Sequence, residues 1–230
     1  MTLHDELQAV RQQVATQLPP DVLATMDGAT TELANAGLAQ RALQPGQCMT
    51  DFVLPDATGR RVASMALRAR GPLLITFYRG EWCPYCNLAL RALQRELPAF
   101  ASRGVTLVAI SPELPDHALT LQATHDLAYA VLSDAGNAVA RCFGLVFTLP
   151  QTLRPLYQGF GVNLPARNGD ASFELPLPGS FLIDSDGSVL ASLVETDYRA
   201  RLEPAVALAW IDRLHDRTTA RPHDHTVANP

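Results

Sequence analysis

Between Leu73 and Cys142 the hydrophobic pattern switches period repeatedly, and few folds accommodate that. Leu73 to Tyr78 is an apolar run of strand length. Pro84 to Ser102 carries Leu88, Leu90, Leu93, Leu97 and Phe100 on a helical period, and Val105 to Ser111 is a second strand-like run. A helical pattern from Pro115 to Ala128, a short strand at Ala130 to Leu132 and a helix from Ala135 to Cys142 follow. Strands alternating with helices predict an α/β sandwich with its central strands parallel. Ser180 to Asp184 and Ser188 to Glu195, joined by the turn Asp184-Ser185-Asp186-Gly187, read as a hairpin, and Pro204 to Leu214 as a last helix.

The flanks read differently. Leu3, Leu7, Val10, Val14 and Leu18 form a helical stripe, Pro19-Pro20 breaks it, and a second amphipathic stretch runs from Asp21 to about Leu43. Residues 1–44 are therefore expected to be a helical extension, packed on a core domain or pairing across a homodimer. Phe52 to Ala63, with Asp56-Ala57-Thr58-Gly59 at its centre, suggests a short hairpin. Gly144 to Leu177 holds Pro150, Pro155, Pro165 and Pro176 and is too long for a plain connection, so it is expected to fold over a site. The main domain is expected over 45–216, and the polar tail 217–230 to be disordered.

Composition removes several function classes. All eighteen basic residues are Arg, so a Schiff-base Lys and a phosphate-loop Lys are excluded. A net charge of −5 without basic clusters argues against a nucleic-acid partner. No run approaches the roughly 20 apolar residues of a spanning helix, and MTLHDELQAVR lacks the apolar stretch of a secretory leader, so a cytoplasmic, reducing location is expected.

Four cysteines are too few for a disulfide scaffold, and two of them, Cys83 and Cys86, are three apart. They end a strand-loop-helix segment, Leu74 to Cys86, in which Pro84 suits the first turn of a helix. That places Cys83 at the helix N-cap, where unpaired N–H groups and the helix dipole favour thiolate over thiol. Cys83 is the expected nucleophile, and Cys86, one turn on, the partner that resolves a mixed disulfide or sulfenic acid into a Cys83–Cys86 disulfide. Arg79 is placed to stabilise the anion or orient a peroxide. Trp82 is expected to pack over the sulfur pair, Tyr85 to border a substrate, and Glu81 to be solvated. A structural zinc site needs four ligands; no second CxxC or HxxxH pair is present, and His117, His125 and His215 read as surface residues, so no metal and no cofactor are expected. Cys142, on a face with Val139 and Phe143, reads as core filler, whereas Cys48 in a loop could be either filler or a chemically active thiol.

Phe77 to Cys86, Leu132-Ser133-Asp134 and Pro178-Gly179-Ser180-Phe181-Leu182-Ile183-Asp184 together resemble the thioredoxin-like superfamily, specifically the peroxiredoxin-like AhpC/TSA (alkyl hydroperoxide reductase/thiol-specific antioxidant) branch, over about residues 45–215. Trp82-Cys83-Pro84-Tyr85-Cys86 is similar to thioredoxins and glutaredoxins at once. The resemblance implies a central mixed sheet flanked by helices, and a proline, usually cis, facing the CxxC; Pro178 matches it and would offer the backbone of Leu177 to a bound thiol. The chain departs from the family's Pro-x-x-x-Thr/Ser-x-x-Cys loop. Arg79 stands on its Pro, Cys83 on its Thr and Cys86 on its peroxidatic Cys, so Cys86 rivals Cys83, and the family's later active-site Arg falls on Pro178.

Three functions follow as expectations. The first is a peroxidase reducing hydrogen peroxide or organic hydroperoxides, with a thioredoxin or a glutathione/glutaredoxin system as reductant. The second is a thioredoxin-like protein disulfide oxidoreductase, and the third a non-catalytic redox-sensing module whose N-terminal helices bind a partner.

Overall fold

The computed structural model describes residues 1–219. The first two helices are α1 (Leu3–Gln17) and α2 (Pro20–Asn35). Thr2 and Asp5 cap α1 reciprocally: Asp5 N–H donates to Thr2 Oγ1 and Thr2 N–H to Asp5 Oδ2. A hairpin of β1 (Val53–Pro55) and β2 (Arg61–Ala63) precedes α3 (Ser64–Arg68). The alternating region is β3 (Leu73–Phe77), α4 (Pro84–Arg95), α5 (Leu97–Ser102), β4 (Thr106–Ser111), α6 (Pro115–Thr124), β5 (Ala130–Ser133) and α7 (Ala138–Cys142). Then come β6 (Val146–Thr148), α8 (Arg154–Gly159), α9 (Leu164–Asn168), β7 (Glu174–Pro176), β8 (Gly179–Ile183), β9 (Val189–Val194) and α10 (Pro204–Thr219).

Five strands form one sheet in the order β5-β4-β3-β8-β9. β5, β4 and β3 are parallel, as the alternation requires, and β8 and β9 add antiparallel strands beside β3, so the sheet is mixed. β3 lies at the centre and is buried at every residue. Its side chains alternate between two cores. Leu74 and Tyr78 join Leu107, Val131 and Leu182 under α1, α4 and α10. Ile75 and Phe77 join Val108, Ile110 and Phe181, where Phe77, Phe143 and Phe181 pack ring against ring at 4.9–6.0 Å.

Several boundaries differ from the sequence reading. The expected helix from Pro84 to Ser102 is two, because Pro98 lacks the N–H that would continue the ladder and Glu96 leaves helical geometry. The stretch expected to be helical to Leu43 stops at Asn35, before Gly37 in left-handed conformation. Cys142 is exposed rather than core filler: α7 is five residues long and its buried face is Val139 and Ala140. Gly144 to Leu177, too long for a plain connection, holds a β6–β7 ribbon and two short helices. α10 continues past Leu214 to Thr219, and the rest of the tail expected to be disordered, 220–230, lies outside the described residues.

The N-terminal helices are fastened to the domain. Leu3 and Leu7 are buried in the core beneath α4, Glu6 pairs with Arg95 at 2.8 Å, and Asp27 pairs with Arg199 at 2.6 Å. The start of the stripe that suggested pairing across a dimer is thus buried within the chain itself. Among the described residues, no helix is long and apolar enough to cross a membrane.

Candidate active site

At the C-terminal end of the central strand the chain turns through Arg79-Gly80-Glu81-Trp82 into α4. Cys83 is the N-cap residue, with extended backbone at φ −95° and ψ 109°, and Pro84 takes the first helical position. The Cys83 carbonyl accepts from the N–H of Cys86 at 3.0 Å and of Asn87 at 3.1 Å, which starts the helix. Gly80 is required by close approach: a Cβ there would lie 2.2 Å from Trp82 Nε1 and 2.9 Å from Glu113 Cδ.

Both sulfurs are buried, free thiols. They share a donor that the sequence reading missed. Arg201, between β9 and α10, brings its Nη2 to 2.9 Å from Cys86 Sγ and 3.9 Å from Cys83 Sγ, and its Nη1 donates to the carbonyls of Tyr198 and Ala200 at 2.6 Å. Burial pushes the Cys83 thiol up, and its hydrogen bond to the Cys86 sulfur adds to the rise. Burial opposes ionisation of Cys86 too, but the hydrogen bond from Cys83, the charge of Arg201, the N–H of Arg79 and the Arg79 charge together hold it well below the ordinary thiol range. The guanidinium contact thus favours negative charge on Cys86 and leaves Cys83, the expected nucleophile, as the proton donor of the pair. The short guanidinium contact outweighs a helix-end dipole, because the N-cap sulfur is the proton donor within the pair.

Arg79 is buried and caged by aromatic rings. Its guanidinium carbon lies 4.9 Å from the Trp82 ring centre, 5.6 Å from Tyr157 and 4.8 Å from Tyr198, and it donates to Tyr157 Oη. Among the described residues no carboxylate pairs with Arg79 or Arg201. A buried cation needs a counter-charge, and the nearby Cys86 thiolate supplies one. Tyr157 and Tyr198 carried no motif in the sequence, and only the fold brings them to Arg79.

Cys83, and not Cys86, lines a chamber of about 240 Å³. Trp82 and Tyr85 border it, with Arg79, Tyr157 and Tyr198; Phe160 and Val162 come from the segment after β6. Pro178 does not border this chamber. It is buried, lining a smaller space with Arg79, Tyr157 and Tyr198. The described residues contain no cis peptide, so the bond before Pro178 is trans, against the geometry the resemblance implied. The Leu177 N–H is also engaged, donating to the Leu145 carbonyl at 2.9 Å.

Glu81 is not simply solvated. Its carboxylate and that of the fully buried Glu113 share Arg167 Nη1, at 3.0 and 3.1 Å, and Glu113 also accepts from the Glu81 N–H at 2.6 Å. Burial pushes the Glu113 carboxyl up to about 7 against these stabilising contacts. His117 approaches the two carboxylates within metal-ligand range, but the cation held by both is the Arg167 guanidinium.

Comparison with known proteins agrees with this architecture. A Bacillus cereus thiol-disulfide oxidoreductase, ResA, is 22% identical over 165 residues, covering 71% of this chain and 78% of its own length. The crystal structure of peroxidoxin BcpB from Mycobacterium tuberculosis superposes with a TM-score of 0.59 at 24% identity, covering 75% of this chain and 98% of that one. The reduced 2-Cys peroxiredoxin of Plasmodium vivax gives 0.61 at 17% identity, covering 79% and 89%. The AhpC/TSA family matches residues 45–192, a span that holds four strands of the central sheet and most of β9, together with Arg79, Cys83 and Cys86, and the chain belongs to that family.

Proposed function

We propose that this protein is a thiol-dependent, peroxiredoxin-like peroxidase that works through a Cys83/Cys86 dithiol. One observation carries the reading: Cys83 lines the chamber while the adjacent Cys86 sulfur lies 2.9 Å from the Arg201 guanidinium, which favours its thiolate. The Cys86 thiolate takes the Cys83 proton as a hydroperoxide arrives, and the Cys83 sulfur attacks the terminal oxygen. An S–O bond forms, the O–O bond breaks, and the alkoxide or hydroxide that leaves takes up that proton as alcohol or water, restoring the Cys86 thiolate. Cys83 is then a sulfenic acid. The Cys86 thiolate displaces its hydroxyl, which departs as water with one further proton, and the disulfide closes. An external dithiol of the thioredoxin or glutaredoxin class, or two glutathione thiols, returns two electrons and two protons.

Likeness to ResA supports a second reading, protein disulfide exchange. Burial favours the first: Cys83 is 2% exposed, which admits a hydroperoxide more readily than the disulfide of a folded protein.

The test treats Cys83→Ser, Cys86→Ser and the native protein with one equivalent of peroxide and follows each by mass spectrometry. The expected products are an intramolecular disulfide in the native protein and, formed more slowly because the Cys86 base is gone, sulfenic acid on Cys83 in Cys86→Ser. Turnover with a dithiol no faster than free cysteine would reject the peroxidase, and oxidation confined to Cys86 in Cys83→Ser would exchange the two roles.

A further inference from the structure

The chamber at Cys83 is closed by residues outside the family match. Val14 and Leu18, at the end of α1, and Met26, on α2, form part of its wall, whereas the match begins at residue 45. All three are half-buried, so their apolar surface faces the chamber without being essential core. Phe160 and Val162 complete a mainly carbon-lined space.

Two residues of the same wall, Arg79 and Trp82, also carry buried N–H groups, Nε and Nε1, that have no hydrogen-bond partner in the structure. The volume of about 240 Å³ is below the roughly 300–1,000 Å³ of sites for drug-sized molecules. A peptide does not fit such a space; a compact apolar body with a small oxygen-bearing group does.

We propose that the N-terminal helical pair is a specificity element, in which Val14, Leu18 and Met26 seat the apolar body of a small organic hydroperoxide whose peroxide end meets Cys83. This deepens the peroxidase reading and rests on it. It assigns the extension a selection between peroxides that the catalytic pair alone does not make.

The experiment compares cumene hydroperoxide with hydrogen peroxide in the native protein, Val14→Asn and Leu18→Asn. Removing one aliphatic contact should lower the ratio of kcat/KM for the two peroxides by about tenfold, through KM for the organic substrate. Equal losses on both peroxides, or an unchanged ratio, would overturn the proposal. A second measurement needs no turnover: binding of the unreactive product alcohol, 2-phenyl-2-propanol, followed by Trp82 fluorescence in a Trp210→Phe background. Saturable binding, weakened about tenfold by Leu18→Asn, is expected. Binding without peroxide turnover would reject the peroxidase and leave the chamber's preference standing; absence of binding, or binding that Leu18→Asn leaves intact, would reject the preference itself.

Discussion

Arg201 Nη2 donates to Cys86 Sγ at 2.9 Å across 115 positions of sequence. Together with the hydrogen bond from Cys83, that contact holds a buried sulfur below the ordinary thiol range. Replacing Arg201 with Met should therefore raise the Cys86 thiol back toward that range. Ultraviolet titration of the thiolate in a Cys48→Ser, Cys142→Ser background would read the shift, and an unmoved titration would show that Arg201 is not its cause.

The same contact bears on redox poise. Closing a Cys83–Cys86 disulfide removes the negative charge nearest the Arg79 and Arg201 guanidinium groups, so the reduced form is favoured. Arg201→Met relieves part of that imbalance and should make the disulfide harder to reduce, by about 30 mV for each tenfold change in the exchange constant. Equilibration against a glutathione buffer would measure it; a potential that stays put or moves upward would contradict this assignment of charge.

Glu113 predicts a dependence of stability on pH. Its carboxyl stands at about 7 in the folded protein against an ordinary value of 4.5, so the folded state holds the proton more tightly. Its contribution is full below about 4.5 and is lost as pH rises through about 7, on the order of 3 kcal/mol at 1.36 kcal/mol per unit. Cys86, whose value is lowered on folding, slopes the other way and is common to both proteins compared. Denaturant unfolding at pH 5 and pH 8 should show a smaller fall in stability for Glu113→Gln than for the native protein. Identical profiles would place the Glu113 proton elsewhere.

Cys48 and Cys142 are exposed, whereas Cys83 and Cys86 are buried. A bulky maleimide applied to the native, reduced protein should label the first two quickly and the inner pair only after denaturation. Peptide mapping at short reaction times checks this, and early labelling of Cys83 would show that the chamber is more open than the structure has it.

Much of this arrangement was readable in the chain. Pro84 after Cys83 marked the helix start, because proline suits a first turn and little else in a helix. The apolar run from Leu73 marked the central strand for the same local reason. Cys142 was misread because Val139 and Phe143 lie one helical turn apart and suggested a long face, whereas α7 is too short to present one. Glu81 was misread because its partner Arg167 is 86 positions away and its neighbour Glu113 is 32. Tyr157 and Tyr198 carry no local signature, since an aromatic residue that cages a guanidinium looks like any other in sequence.

The alternation of strands and helices from Leu73 to Cys142, the family and the position of two thiols at a helix start were determined by the sequence itself, because periodicity, proline geometry and cysteine spacing act over a few residues. Which thiol carries the charge was decided only by tertiary structure. Charge interaction falls with distance and strengthens with burial, and the turn after β9 brings Arg201 nearer to Cys86 than to Cys83. The walls of the chamber were settled the same way, by where α1 and α2 come to rest on the domain.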